Sequence, residues 1–290
     1  MTDKDTVVAP ISDMQVGSTV ALCPPKWNLM DGGTHRASPG QKIIHKQWVR
    51  SAEKVKESLT EFRSRKRLVL ILNGEPIDGD HHGTPQLITG RRQEQIDMSI
   101  SLLDEWLGIT EYNPKRGDCI YLVRGTSAHE RGEHIEQIGR DIDGVIPYRR
   151  DTSPLLKDGR YHFQKLRRKV NGVLFDITHH GFRRGSRAWT RENSIRYTLK
   201  SMYYDALENK QPIPSYVIRS HNHVYTFDTF KDMWGCITPC WQLKTHFGNQ
   251  VAANENMNTI GMIYFDVLKN GNSKEYAEYI EIEDTPVKEF

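Results

Sequence analysis

Five short apolar runs, the first halted by Pro24 and Pro25 and the others by polar segments bearing glycine or histidine, most of them followed by a helical pattern, restrict this chain to an alternating α/β architecture. The runs are STVALC (Ser18 to Cys23), RLVLILN (Arg67 to Asn73), CIYLVRG (Cys119 to Gly125), VLFDITHHG (Val173 to Gly181) and SYVIRSHNH (Ser215 to His223). After the first, Ile44, Trp48, Val55, Leu59 and Phe62 recur at helical spacing, with lysines and glutamates between them. A second helix is predicted from about Gln93 to Leu107, with Ile96, Ile100, Leu103 and Leu107 on its apolar stripe. A third is predicted from about Arg187 to Leu207, with Ile195, Leu199, Met202 and Tyr203 inward. The C-terminal third reads as successive antiparallel strands, with a turn at Asn270 to Ser273 before the last.

A chain of 290 residues with 37% hydrophobic and 27% charged residues can bury a sizeable core and is unlike a disordered polymer. No repeat, low-complexity tract or interdomain linker interrupts it, so residues 1–290 are expected to form a single domain. Its apolar runs fall far short of the roughly 20 residues that cross a bilayer, and its start lacks a basic, apolar signal. The expectation is a cytoplasmic protein without a membrane partner. Of its cysteines, Cys23 and Cys119 are isolated, while Cys236 and Cys240 form a lone C-x3-C, so reduced thiols are expected.

The chemistry collects at the strand ends. Ligands of open α/β sheets bind beyond the carboxyl ends of the strands, and four of these runs end in acid or histidine. The first such ending holds Glu75, Asp78, Asp80, His81 and His82; the others hold His129, His179 with His180, and His221 with His223. Each taken singly has a bland reading, as a loop pair, a cap or a turn residue. Together they describe a metal-binding edge. Carboxylates and imidazoles suit divalent Mn or Zn, with Fe and Ni also accommodated. Two such ions about 3.5–4 Å apart can activate water and clamp a phosphoryl group.

Over roughly Thr19 to Tyr225 the order of these motifs resembles the calcineurin-like metallophosphoesterases, in particular a divergent type associated with phages and prophages. That pattern runs Asp-x-His, Gly-Asp-x-x-Asp, Gly-Asn-His-Asp/Glu, a strand ending in His, then Gly-His-x-His; here NGEPIDG, RGTSAHE, DITHHG and RSHNH are similar to the last four. The resemblance implies a sandwich of two mixed β-sheets flanked by helices. It also implies a metal-dependent phosphoesterase, a phosphodiesterase or nuclease acting with metal-activated water. Carried over, Glu75 bridges the ions, His179 and His221 bind one, His223 binds the other, and His129 is the candidate catalytic histidine.

Glu75 stands where the pattern has its bridging Asp, and the departures that remove ligands fall in the first and third motifs. No acid and histidine follow Ser18 to Cys23, and in the third motif Thr126 stands at the asparagine position, with Ser127 where the histidine is expected. Asp31 and His35, or Asp80, His81 and His82, are candidates to fold back and supply ligands. The rival reading is a catalytically impaired relative that binds nucleic acid or protein. A basic segment with Arg183, Arg184 and Arg187 among aromatics, preceded by YHFQKLRRK, reads either as a phosphate track for a nucleic acid or nucleotide substrate or as a solvated helix face.

Overall fold

The computed structural model describes residues 4–61, 64–80, 83–127, 129, 133–148, 160–182, 190, 192–251 and 257–283. In chain order the elements are β1 (Thr6–Ile11), β2 (Lys26–Asn28), β3 (Thr34–Arg36), α1 (Pro39–Thr60), β4 (Arg67–Asn73), α2 (Arg92–Ile109), β5 (Cys119–Val123) and α3 (Glu133–Asp141). There follow β6 (His162–Phe163), β7 (Leu166–Val170), β8 (Val173–Ile177), α4 (Asn193–Glu208), β9 (Tyr216–Arg219), β10 (Thr226–Phe230), β11 (Met233–Ile237), α5 (His246–Val251), β12 (Met257–Val267) and β13 (Ser273–Glu283).

Two mixed sheets result, ordered β13-β12-β1-β4-β5-β6 and β10-β11-β9-β8-β7. In the first, β1, β4, β5 and β6 run parallel, and β12 pairs antiparallel with β1. In the second, β8, β9 and β11 run parallel. The period-2 alternation of a strand explains how the first sheet serves two cores. Leu68, Leu70 and Leu72 of β4 face α1 and α2, whereas Val69 and Ile71 face the second sheet, where Phe175, Ile177, Ile218 and Phe265 fill the gap. On the far side, Ile195 and Leu199 of α4 cover Val217, Met233 and Ile237. This is the sandwich of two mixed sheets with helices outside that the motif order implies.

The helices follow their apolar spacing. Helix α1 starts at a capping box: Ser38 Oγ accepts from Gln41 N, Gln41 Oε1 accepts from Ser38 N, and Pro39 sits where a free N–H is not needed. Its Ile44, Trp48, Val55 and Leu59 are fully buried, with Trp48 wedged between Trp106 and Trp241. Phe62 lies outside the described residues. In α2, Ile96, Leu103 and Leu107 are buried and Ile100 packs at the margin. Helix α4 is described from Asn193, and its Met202 and Tyr203 are only partly buried.

Three expectations are corrected. The first strand is Thr6–Ile11, not Ser18 to Cys23, which forms only isolated bridges at Ser18 and Ala21 although Ala21, Leu22 and Cys23 are buried. Secondly, the basic stretch around Arg167 is no helix face. It forms β7, an edge strand in a hairpin with β8, where charge guards the open edge. There Lys165 and Arg167 pair with Asp176 at 2.9 and 3.3 Å. Thirdly, the C-terminal strands are not all antiparallel: β11 runs parallel to β9, and only β12 and β13 form the expected long hairpin. Among the described residues no helix is long and apolar enough to cross a membrane.

Candidate metal centre

The carboxyl ends of β1, β4 and β5 in one sheet and of β8 and β9 in the other deliver their side chains to a common centre. Just past β1, Asp13 is wholly buried, with its backbone N–H given to Gly74 O and its carbonyl accepting from Trp241 N. Past β4, Glu75 is likewise wholly buried. Both adopt left-handed backbone, φ 53° in each case, a conformation uncommon for residues with a Cβ. Gly74 between the strand and Glu75 has φ 83°, and a Cβ there would overlap the His179 ring and lie 2.8 Å from Gly125 Cα.

Glu75 is held from several directions. Gln15 Nε2 donates to its Oε2, while Thr126 Oγ1 donates to Oε1 at 2.7 Å, assisted by Thr126 N at 3.3 Å. His179 Nε2 and His221 Nδ1 lie 3.0 and 3.9 Å from the same Oε1, and His129 Nε2 lies 3.8 Å from Oε2. Burial would raise this carboxyl, yet the surrounding imidazoles, His179 first, hold it well below the usual carboxylate range. Conversely, burial pushes His179 down, but Glu75 and Asp13 outweigh it and raise the imidazole to about 10. A centre with two buried carboxylates demands positive charge from a proton or a metal ion.

Among the described residues the candidate ligands fall into two groups. Asp13, Glu75 and His223 offer ligand atoms within 4.8 Å of one another, and so do His179, His180 and His221. Glu75 touches members of both groups. His221 and His223 have φ of 75° and 58°, so the chain bends sharply through Asn222 instead of continuing as a strand, and Asn222 Nδ2 anchors the bend on Phe182 O. The His221 N–H donates to Asp13 Oδ2 at 3.2 Å.

These atoms suit a cation. Asp13 Oδ1 and His179 Nε2 are buried with no hydrogen-bond partner, a costly state for polar atoms unless something else coordinates them. His179 Nε2 is close to Glu75 Oε1 but off hydrogen-bond alignment. Its Nδ1 lies 2.8 Å from Asn73 O. A carbonyl only accepts, so Nδ1 carries a proton; were a metal ion to replace the proton on Nε2, the ring would present Nε2 as a lone pair, the arrangement of a metal-binding imidazole. Asn73 in turn clamps Ser220 Oγ (2.6 Å) and Thr178 O (3.3 Å), tying the ends of β4, β8 and β9 together.

Of the residues singled out from sequence, Glu75, His179, His221 and His223 thus converge, and His129 stands beside them. His129 Nδ1 lies 2.6 Å from Asp78 O. Asp78 is buried outside both groups, its Oδ1 accepting from Gln242. Asp80 is exposed and belongs to neither group. Asp31 caps the Gly33 N–H in the β2–β3 hairpin and His35 lies 3.7 Å from Cys23 Sγ, so neither supplies the centre. His81, His82, Arg183, Arg184 and Arg187 lie outside the described residues. Cys236 and Cys240 are buried, Cys240 Sγ donating to Gln242 O at 3.2 Å, and belong to neither group.

Asp13 is the acid that sequence reasoning missed, and Gln15 follows it at Asp-x-His spacing with an amide in place of the imidazole. The signal was the apolar run Val7 to Ile11 followed by Ser-Asp-Met-Gln.

No family model matches the chain, and no curated protein matches it. Solved structures do. An archaeal phosphodiesterase is 11% identical with TM-score 0.36, the alignment covering 93% of this chain and 99% of that one. Zinc-bound Vps29 from Entamoeba histolytica is 9% identical with TM-score 0.39, covering 96% and 98%. A predicted phosphoesterase from Streptococcus pneumoniae is 11% identical with TM-score 0.31, covering 96% and 99%.

Proposed function

We propose that the chain is a metal-dependent phosphoesterase that hydrolyses a phosphodiester, with nucleic acid or a nucleotide as the leading substrate class. The observation that carries this reading is the pair of adjoining ligand groups, Asp13–Glu75–His223 and His179–His180–His221, with buried Asp13 Oδ1 and His179 Nε2 left without hydrogen bonds. Asp13, Glu75 and His223 would hold one divalent ion and His179 with His221 a second, Glu75 shared between them; Mn or Zn suits these donors first, then Fe or Ni. Ions bound there supply Lewis acidity toward water and the phosphoryl oxygens.

The protein's own residues prepare that chemistry. Gln15 and Thr126 fix both oxygens of Glu75 before substrate arrives, and Asn73 sets the tautomer of His179. His129 has its Nδ1 engaged by Asp78 O, and its Nε2 lies 3.8 Å from Glu75 Oε2 at the edge of the centre. In this reading His129, when protonated, gives that proton to the departing oxygen. Arg183, Arg184 and Arg187 follow closely in sequence after His179 and would grip flanking phosphates.

Gln15 and Thr126, where the pattern has histidine and asparagine, favour a second reading, an impaired relative that binds nucleic acid or protein without hydrolysis. Elemental analysis after reconstitution with Mn and Zn, alongside hydrolysis of bis(p-nitrophenyl) phosphate, separates the two. Stoichiometric metal with hydrolysis lost in Asp13→Asn supports the enzyme. Metal without hydrolysis above an Asp13→Asn control selects the binding module, and no metal removes the hydrolase reading.

A further inference from the structure

We propose that His180 is itself a metal ligand, completing with His179 and His221 an imidazole-rich half of the centre. This deepens the phosphoesterase reading and rests on it only in taking the centre to hold divalent cations.

Three rings converge. The His180 ring centroid lies 4.4 Å from that of His221 and 4.9 Å from that of His179, and the ligand nitrogens of all three lie within 4.8 Å of one another. Successive residues of a strand point to opposite faces, so His179 and His180 can share one site only if the chain turns. It does so directly after β8. The Thr178 hydroxyl donates to the His180 carbonyl, closing a tight local loop, and Gly181 follows with φ 142°. A side chain at Gly181 would come within 2.6 Å of Arg219 Nε, so the turn is built around that close approach.

The third strand-end motif leaves a place for this ligand. Its asparagine position is Thr126, whose hydroxyl is committed to Glu75 Oε1. With Thr126 steadying the bridging carboxylate, that half of the centre has Glu75, His179 and His221. His180 brings the set to four donors, the number that zinc takes with imidazole and carboxylate ligands. His180 and His221 are exposed and His179 is buried, so the three-histidine group forms the outer wall of the centre, open to an arriving ion.

The test uses Co(II) and Zn(II) as probes on the full chain: cobalt absorption reports the donor set, and competition with a chelator yields the zinc Kd. His180→Ala, His180→Gln and the exposed control His246→Ala are compared with the parent, and thermal melts of the metal-free proteins check that each is folded. Loss even of an outer partner of a metal ligand costs about 10- to 100-fold in affinity. His180→Ala is therefore expected to raise the Kd of one zinc ion at least about tenfold and to alter the cobalt spectrum. His180→Gln, offering an oxygen, is expected to fall between, and His246→Ala to match the parent. A folded His180→Ala protein with parental Kd and spectrum overturns the assignment while leaving metal binding intact. A parent that takes up neither cobalt nor zinc overturns the metal reading as a whole.

Discussion

His223 Nε2 lies 3.4 Å from Asp13 Oδ1, and through this approach the bend after β9 in one sheet meets the end of β1 in the other. Asp13→Asn and His223→Ala therefore damage the same half of the centre. Each single variant is expected to lose one of two ions by elemental analysis, and the double variant no more than either alone, since contacting residues are not additive. Loss of both ions in the double variant with one lost in each single would place the two residues in separate sites.

Gly74→Ala tests the cradle under His179. The left-handed backbone at this position costs an L-residue about 1–2 kcal/mol, and the added carbon meets His179 and Gly125 Cα. Urea unfolding should show a loss of at least that size, and metal affinity should fall with it. A variant with parental stability and parental metal content would show that the Gly74 turn does not constrain His179.

Thiol chemistry should be slow. Burial pushes the Cys23 thiol up to about 12 and Cys119 up to about 11, and drives Cys236 well above its ordinary value. Only thiolate reacts, and for a thiol with a raised pKa the thiolate fraction grows as pH rises toward that pKa. Modification by a disulfide reagent at pH 8 is expected to be slow in the native protein and rapid in denaturant, with a native rate that climbs with pH. Fast stoichiometric labelling of native Cys23 at neutral pH would contradict its burial.

Changing Arg183, Arg184 and Arg187 together to Ala tests the proposed phosphate track. Binding of single-stranded DNA should weaken, and the slope of log affinity against log salt should become shallower, because fewer counterions are released. Metal content should be unchanged. An unaltered slope assigns these arginines to the solvated surface.

Much of the centre was legible in sequence because β4, β5, β8 and β9 announce themselves as apolar runs that stop at acid or histidine. β1 does not. Pro10 argues against a central strand, and it is tolerated because pairing with β12 spans only Thr6 to Val8 in β1. Asp13 and Gln15 then pass for turn residues. Ser18 to Cys23 drew the assignment instead because it is apolar, but it is apolar through burial and not through strand pairing. The grouping of His180 with His221 was out of reach for a different reason: it depends on positive φ at His221 and on the turn at Gly181, which no local periodicity encodes.

Because Asp13 and Glu75 come from one sheet and His179, His180, His221 and His223 from the other, the separation of the sheets is the calliper of the centre. That separation is set by Phe175 and Phe265, whose rings meet edge to face at 5.3 Å. Trimming Phe265 would let the calliper close or skew, so a purely hydrocarbon change remote from any ligand would be read out as altered metal affinity.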